Sequence, residues 1–499
     1  VWPTNPAVRT AAPLDANFGP GEKVWGGWDY VGDLYNGGNT SESPGIASVM
    51  IPTPDPNPID CSRDRTVLSP PYPVIPGGTP VGHGSHVAGT VAGFGVNADG
   101  STYAGGYNSV PFGALKVGPG VAPYASLLAL RVFGCFGSTS SANVAAAIDD
   151  AASGRFGVQA DVVNMSLGSN FGYGRDDGIR FIYNAVIPAA TSVGTLIVAS
   201  AGNSSDTHYI TGSPGAVASA LSVASIAHDV EWNGISLTGT TANGTYAVRN
   251  AISNAPSVVA GPYPIYYLGA EDGCQAADYN TFPAGHVAMV NFTGLCGSGG
   301  LYGAAAGATP NRPLGLLIVS NTASFQNLGC AGAAPSIPCV SLLKITRDFI
   351  QANQPAVRVT FNPALTAAVP ELIDVVSTFS SRGPASFSAG IKPDVAAPGD
   401  RILSVSSGSG SAGYSIGGTS MAAPHVAGLA AILLSNPRYS SWAPTQIKAL
   451  IMNTANNDVF SPTNLGFVLP NNRAGSGRID VLDAFENEVI AYNFLRPDV

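Results

Sequence analysis

The stretch that decides the fold and its chemistry is Gly417-Gly418-Thr419-Ser420-Met421-Ala422-Ala423-Pro424-His425-Val426-Ala427-Gly428. Residues 426–434 are apolar enough for a buried helix, and the glycines before Thr419 predict a loop that leads into it. Ser420 therefore stands at a helix start, where unpaired N–H groups and the helix dipole stabilise developing negative charge. We take Ser420 as a candidate nucleophile. On this stretch alone, an N-cap serine without chemistry is the stronger explanation.

Length, composition and charge limit the class of protein. The chain has 499 residues, of which 45% are hydrophobic and 11% charged, so we expect a large core and more than one domain. A formal net charge of -9 argues against a nucleic-acid partner, which would need a basic face. No apolar run is long enough to cross a membrane, so we expect no membrane partner. The chain begins Val1-Trp2-Pro3-Thr4, without Met or a signal-peptide pattern, which predicts a processed form or a fragment.

The six cysteines favour disulfides. Their spacing contains no Cys-x-x-Cys or Cys/His zinc pattern, so we predict no metal site of that kind. An even number of cysteines in a weakly charged chain favours an oxidising compartment and hence a secreted, extracellular protein, with buried free thiols as the alternative. Cys61 lies before the loop at His83 and Cys135 lies just after a predicted strand at 127–133, so we predict one disulfide that joins these two loops beside the site. Nearness along the chain predicts two further pairs, Cys274 with Cys296 and Cys330 with Cys339.

A second motif, His83-Gly84-Ser85-His86-Val87-Ala88-Gly89-Thr90, reads as a loop that turns into a helix of small residues. Two histidines three residues apart would share a helix face and suggest a metal. No Glu accompanies them in a His-Glu-x-x-His pattern, so we disfavour metal binding and expect one of them to pack. His83, beside glycines at the start of a tightly packed helix, is the better candidate for a general base.

From Ala122 onward the pattern alternates between strands and helices. The predicted strands are 127–133, 160–168 and 195–203, and the predicted helices are 141–152 and 178–190. Continuous apolar strands separated by helices predict an α/β fold, with a parallel sheet between two helical layers. The active site of such a sheet lies at the carboxyl ends of its strands, where Ser166 and Asn203 fall.

Four motifs in this order resemble those of the subtilisin-like serine peptidases, or subtilases. They are the His83 motif, Asn164-Met165-Ser166-Leu167-Gly168, Ala201-Gly202-Asn203, and Gly418-Thr419-Ser420-Met421-Ala422-Ala423-Pro424. Two further runs resemble the family's segment that leads to the nucleophile, Phe379-Ser380-Ser381-Arg382-Gly383-Pro384 and Lys392-Pro393-Asp394-Val395-Ala396-Ala397-Pro398-Gly399. The resemblance covers roughly residues 20–230 and 370–490.

The resemblance implies a secreted serine endopeptidase. Ser420 would attack the peptide carbonyl, His83 would take its proton, and Asn203 would donate a hydrogen bond to the oxyanion. The run Ser166-Leu167-Gly168 would line the substrate pocket through backbone hydrogen bonds. The alternatives without chemistry are a turn residue for Asn203 and a strand end for Ser166-Leu167-Gly168.

The chain departs from the family at the catalytic Asp. In the family this Asp closes a buried strand and precedes Thr-Gly or Ser-Gly, and neither Asp-Thr-Gly nor Asp-Ser-Gly occurs in this sequence. Apart from Glu22, the acids in the first forty residues are Asp15, Asp29 and Asp33, and none follows an apolar strand of the required kind. The acid is left unassigned, and we expect the strand that bears it to lie upstream of Val1.

Residues 231–370 are predicted to form a small, mixed β-rich domain inserted between peptidase segments 1–230 and 371–499. The insertion holds four of the six cysteines and short β-rich runs at 286–292 and 315–320. It resembles the protease-associated domain of larger subtilases. Substrate selection, partner binding and packing remain open as its role.

The sequence is compatible with three functions. The first choice is an active endopeptidase, and the second is a catalytically impaired relative that acts as a binding module. The third is an esterase or lipase, which is disfavoured because Ala422 stands where a Gly-x-Ser-x-Gly elbow needs glycine. Polypeptide substrates are the expected partners, and the oligomeric state is open. No cofactor is predicted; the resemblance allows calcium without assigning a site to it.

Overall fold

The computed structural model describes residues 22–33, 35–37, 50–61, 82–135, 138–172, 181–228, 231–239, 243–250, 258–269, 273–293, 295–319, 337–386, 390–463, 466–487 and 490–491. The chain forms two compact units. The first comprises Val1–Ile226, Phe379–Val459 and Leu469–Val499, and the second comprises Ala227–Thr378 and Phe460–Val468. None of the helices in these described ranges has the length and apolar character needed to cross a membrane.

The helices and strands follow in chain order. Up to residue 226 they are β1 (Val24–Asp29), α1 (His83–Ala92), β2 (Val96–Asn97), β3 (Leu115–Val117), β4 (Leu127–Arg131), α2 (Ser141–Ser153), β5 (Val162–Met165), α3 (Phe181–Ser192), β6 (Leu196–Ser200) and β7 (Leu221–Ile226). The second unit contributes β8 (Glu231–Thr238), β9 (Gly244–Asn250), β10 (Ala260–Tyr267), β11 (Val287–Asn291), α4 (Gly297–Gly307), β12 (Leu316–Val319), β13 (Cys339–Leu342), α5 (Lys344–Ala352) and β14 (Arg358–Ala368). The first unit then resumes with β15 (Val395–Pro398), β16 (Ile402–Val405), β17 (Gly413–Ile416), α6 (Thr419–Ser435), α7 (Pro444–Asn453), α8 (Asn471–Ala474) and α9 (Val481–Glu486).

Local sequence signals explain where α2 begins and ends. The side chain of Ser140 accepts a hydrogen bond from the N–H of Asn143 and so caps the first turn. The helix ends at Ser153 and is followed by Gly154, whose φ of 74° is the left-handed conformation that glycine adopts without a Cβ clash. Between these two signals the apolar residues of α2 recur at helical spacing, and Val144 and Ile148 are buried.

The first unit is built around parallel strands. Its main sheet has the order β15-β7-β6-β5, while β4 pairs in parallel with β1 in a separate two-stranded sheet. In β6, Leu196 and Val198 face a hydrophobic cluster shared with α6 and α7, whereas Ile197 and Ala199 face a cluster shared with α2 and α3. Helices therefore cover both faces, and the predicted three-layer α/β fold is confirmed.

The two sheets of this unit leave two strand edges open within the described ranges. There β4 hydrogen-bonds to β1 alone, and β5 hydrogen-bonds to β6 alone. Leu130 of β4 and Val163 of β5 nevertheless pack against the same hydrophobic cluster. The two edges thus belong to one core without pairing with each other.

The second unit is a closed barrel with the strand order β10-β11-β12-β13-β9-β8-β14. Strands β10 to β13 pair in parallel, while β8, β9 and β14 make antiparallel pairs. Alternate residues of β11 divide between two clusters, with Val287 and Met289 in one and Ala288 and Val290 in the other, beside α4. The predicted mixed, β-rich character of the insertion is confirmed, and its protease-associated identity stays a prediction.

Two of the three predicted disulfides are confirmed. Cys61 is bonded to Cys135, and Cys274 is bonded to Cys296. Cys330 lies outside the described residues, so its pairing with Cys339 stays a prediction. The first bond ties the stretch that precedes α1 to the loop after β4.

Candidate active site

Ser420 is the second residue of α6, the helix that packs along the main sheet. The helix begins at Thr419, earlier than the run at 426–434 that the sequence predicts, and it contains Pro424. Ser420 is half-buried, and its hydroxyl donates a long hydrogen bond of 3.4 Å to the carbonyl oxygen of Ser166.

Ser166 supplies a hydrogen bond that α6 lacks because of Pro424. Proline has no N–H to bond the carbonyl four residues earlier, so the Ser420 carbonyl lacks its helical partner. The Ser166 hydroxyl donates to that carbonyl at 2.7 Å, and it accepts from the side-chain amide of Asn164 at 3.1 Å. The segment after β5 is therefore bonded to the first turn of α6.

Asn203 follows the carboxyl end of β6 and is bonded to the residue before the candidate nucleophile. Its Oδ1 accepts from the N–H and from the hydroxyl of Thr419, both at 2.9 Å. With the oxygen occupied, the amide Nδ2 points away from Thr419, and a Cβ on Gly418 would lie 3.4 Å from it. Within the described structure Nδ2 has no hydrogen-bond partner, so it is available as a donor.

His83 is the first residue of α1, which packs side by side with α6. Val87 shares a hydrophobic cluster with Met421, and a Cβ on Gly428 would lie 3.4 Å from the carbonyl oxygen of Val91. The two contacts occur in the same order along both helices, so α1 and α6 run parallel and their first turns lie at the same end. His83 is thereby placed at the Ser420 end of α6, although no hydrogen bond joins their side chains in the described structure.

The two histidines of α1 have different environments. Burial lowers the pKa of His83, and the negative charge of Asp60 opposes this shift, so the imidazole is neutral at neutral pH and can accept a proton. His86 is fully buried, and burial lowers its pKa to about 4. Its Nε2 donates towards the carbonyls of Ile402 and Tyr414 at 3.1 and 3.2 Å, so His86 is the histidine that packs.

In the part of the chain that the structure describes, Asp29 at the end of β1 and Asp33 just after it both pair with Arg131. The Nη1 of Arg131 lies 2.8 Å from Asp29 and 2.6 Å from Asp33, and Asp15 lies outside the described residues. In the described ranges, the one cluster of potential metal-ligating atoms joins Asp33 to Cys61 and Cys135, whose sulfurs are held in a disulfide. Its sulfurs are therefore not available to a metal ion.

Leu167 and Gly168 continue the chain past Ser166 at the same edge of the sheet. Leu167 is half-buried, and its carbonyl lies 3.4 Å from the Ser200 hydroxyl, while Gly168 is exposed. Ser166 and Asn203 are therefore both hydrogen-bonded to the first residues of α6. His83 is placed near them by the packing of α1 against α6. A role of Ser166-Leu167-Gly168 in substrate binding stays a prediction.

Asp60 and Thr419 belong to the site but were not predicted from the sequence. Asp60 precedes His83 within a Pro-rich stretch that has no periodic pattern, and the only signal there is its neighbour Cys61, predicted to be bonded beside the site. Thr419 lies next to Ser420 in the motif, but its contacts with Asn203 join positions 216 residues apart. A linear pattern does not reveal such a contact.

Comparison with known proteins gives a consistent result. A model of the subtilase family of peptidases matches residues 49–477. The minor extracellular protease Vpr of Bacillus subtilis (strain 168) is 30% identical over 420 residues, which are 82% of this chain and 46% of Vpr. The PII-type proteinase of Lactococcus lactis subsp. cremoris is 30% identical over 466 residues, or 82% of this chain and 23% of that proteinase. A subtilisin of Bacillus sp. (strain TA39) is 34% identical over 215 residues, or 43% of each chain. The chain spans less than half the length of each of these relatives.

Proposed function

The chain belongs to the subtilase family of serine peptidases, and on that basis we propose that it is a secreted endopeptidase that hydrolyses polypeptides. In this proposal Ser420 is the nucleophile, His83 is the general base, and Asn203 donates to the oxyanion. The observation that carries the proposal is the pair of hydrogen bonds from Thr419 to the Asn203 oxygen, which turns the amide nitrogen of Asn203 away from Thr419. Secretion is supported by the extracellular relative and by the disulfides of this chain.

The proposed reaction starts with proton transfer from Ser420 to His83. The bond from Ser420 to the Ser166 carbonyl is long, so turning the hydroxyl towards His83 costs little. The serine oxygen then bonds to the substrate carbonyl carbon, and the carbonyl oxygen takes up the negative charge. The Nδ2 of Asn203, the Ser420 N–H and the positive end of α6 stabilise that charge. His83 passes its proton to the departing amine, and a water molecule later releases the acyl group by the same route in reverse.

No step of this reaction needs a cofactor, because the nucleophile and the base are both side chains. We therefore propose a peptidase without a catalytic metal, and we expect the rate of hydrolysis in EDTA with excess calcium to equal the rate without EDTA. A rate that EDTA abolishes and zinc restores would contradict this part of the proposal.

Hydrolysis of casein, an unstructured polypeptide, tests the function. Wild-type protein is expected to cleave casein at neutral to alkaline pH, and both Ser420→Ala and a serine-directed phosphonate should abolish cleavage. Ser435→Ala changes the far, exposed end of the same helix and should behave as wild type. Circular dichroism of each variant shows whether it is folded. Retained cleavage by folded Ser420→Ala would refute the assignment.

A second candidate function, a catalytically impaired binding module, rests on the surroundings of His83. No carboxylate within the described ranges hydrogen-bonds to its ring, and loss of that group in comparable triads costs roughly 10⁴-fold in turnover. If this candidate is correct, wild-type protein and Ser420→Ala bind an extended peptide with equal Kd and yield no product after prolonged incubation. Product formation by wild type alone would exclude it.

A further inference from the structure

The helix that begins with His83 is capped from elsewhere in the chain. Gly82 precedes the helix with a φ of 87°, it has no side chain to cap the first turn, and that turn holds no acidic residue. Asp60 fills this role, because its Oδ2 accepts the N–H of Ser85 at 2.7 Å. A Cβ on Gly84 would lie 3.5 Å from the same oxygen. The carboxylate therefore covers the first turn of α1, where helix N–H groups are unpaired and negative charge is favoured.

Asp60 is itself held in place. Its Oδ1 accepts the N–H of Cys61 at 2.8 Å, and Cys61 is bonded to Cys135 beyond the end of β4. The Nη2 of Arg131 lies 3.0 Å from the Cys61 sulfur, and Arg131 is fixed in turn by its pairs with two aspartates of the first strand region. Because the backbone beside Asp60 is already restrained by the disulfide, its carboxylate loses little conformational entropy when it binds the first turn of α1.

We propose that Asp60 is a positioning residue for the base: its carboxylate fixes the turn that carries His83, and its charge stabilises the His83 imidazolium. This inference rests on the proposed function, because the imidazolium arises when the Ser420 proton moves to the His83 ring. That proton leaves with the amine product, so the charge that Asp60 stabilises disappears when acylation ends. It forms again when a water molecule is deprotonated to release the acyl group.

The electrostatics of the site agree with this geometry. Burial lowers the pKa of His83, and the charge of Asp60 raises it in part. Among the described residues, the other titratable group that interacts with His83 is His86 on the same helix, which is neutral above about pH 4. Tyr414 of β17 packs against the ring of His86, and the first turn of α6 carries no acidic residue. Within the described ranges, Asp60 is the charged side chain whose field acts on His83.

Nuclear magnetic resonance titration tests the inference without any need for activity. The experiment uses the full chain with Ser420→Ala, which prevents self-cleavage, and follows the imidazole signal of His83, assigned by its loss in His83→Ala. Asp60→Asn keeps a hydrogen-bond acceptor for Ser85 and removes the charge, so the His83 pKa should fall by about one unit. Asp161→Asn removes the same charge from an exposed position and should leave the pKa unchanged. An unchanged His83 pKa in Asp60→Asn would overturn the proposal.

Kinetics of the chain with Ser420 intact complete the test. Asp60→Asn should lower kcat with little change in KM and move the acid limb of kcat/KM to lower pH, which a merely structural role would not do. If Asp60→Asn does not fold, Asp60→Glu is used instead, because it keeps the charge and alters the geometry. An unchanged His83 pKa together with a lowered kcat then supports the proposal. An unchanged His83 pKa together with an unchanged kcat overturns it. A pKa change in a protein that never cleaves casein would refute the proposed function alone.

Discussion

The side chain of Asn203 has two roles: its oxygen accepts hydrogen bonds from Thr419, and its nitrogen is the proposed oxyanion donor. Two different substitutions, Asn203→Ala and Asn203→Asp, separate these roles. Removing one oxyanion donor typically lowers kcat by about 10²- to 10³-fold, or about 3 to 4 kcal/mol. Asn203→Ala removes the donor and also leaves two donors of buried Thr419 without this acceptor, which costs about 1 to 3 kcal/mol of stability for each unsatisfied group. Asn203→Asp keeps the acceptor and removes the donor.

Steady-state hydrolysis of a chromogenic peptide and urea denaturation measure the two effects separately. Both variants should lose kcat with KM nearly unchanged, because the lost hydrogen bond exists only in the transition state. Only Asn203→Ala should also lose unfolding free energy. Asn143→Ala, at a half-buried position in the first turn of α2 with one long side-chain hydrogen bond of 3.3 Å to Thr139, serves as the matched control and should resemble wild type in kcat and lose little unfolding free energy. An effect confined to KM, or an Asn203→Asp variant as active as wild type, would refute the oxyanion role.

Three further predictions concern protonation and covalent structure. The lowered pKa of His83 keeps the base unprotonated through neutral pH, so the acid limb of kcat/KM should lie below pH 6.5, and a limb well above it would argue against His83. The pKa of His86 is about 4 in the folded protein against 6.5 as an unperturbed group, so stability is full above pH 6.5 and falls towards pH 4 by about 3 kcal/mol. Urea denaturation at both pH values should show this loss, and a His86→Gln variant with the same pH dependence as wild type would contradict it. The bond between Cys61 and Cys135 closes a 74-residue separation, so Cys61→Ser with Cys135→Ser should lose about 4 kcal/mol of unfolding free energy, and an unchanged urea midpoint would contradict this.

The fold was predictable from the sequence where patterns are local. Apolar runs at β5 and β6, with a helical pattern at 141–152 before them, indicate parallel strands and covering helices without any long-range knowledge. The disulfide between Cys274 and Cys296 was predictable because the two lie close together in the chain, and that between Cys61 and Cys135 because both lie in loops expected beside the site. The start of α6 at Thr419 was not predicted, because a proline such as Pro424 usually interrupts a helix. Here the Ser166 hydroxyl donates to the Ser420 carbonyl in place of the N–H that Pro424 lacks.

The site was predictable in its residue types and less so in its contacts. Nothing in the spacing of His83 and His86 says which one packs; the difference arises from two carbonyls, of Ile402 and Tyr414, more than three hundred residues away. Asp60 reaches α1 across a stretch with no periodicity, so its role follows only from the folded chain. Contacts between distant segments depend on the packing of whole elements, and a motif does not encode them.

If Ser420 is a nucleophile activated by His83, a reagent that reacts with such serines should form a covalent adduct with Ser420. The full chain is treated with a serine-directed phosphonate at neutral pH, digested, and analysed by peptide mass spectrometry. We expect a single adduct on the peptide that contains Ser420, absent from Ser420→Ala and strongly reduced in His83→Ala. An adduct on a different serine, or labelling of His83→Ala at the wild-type rate, would contradict it.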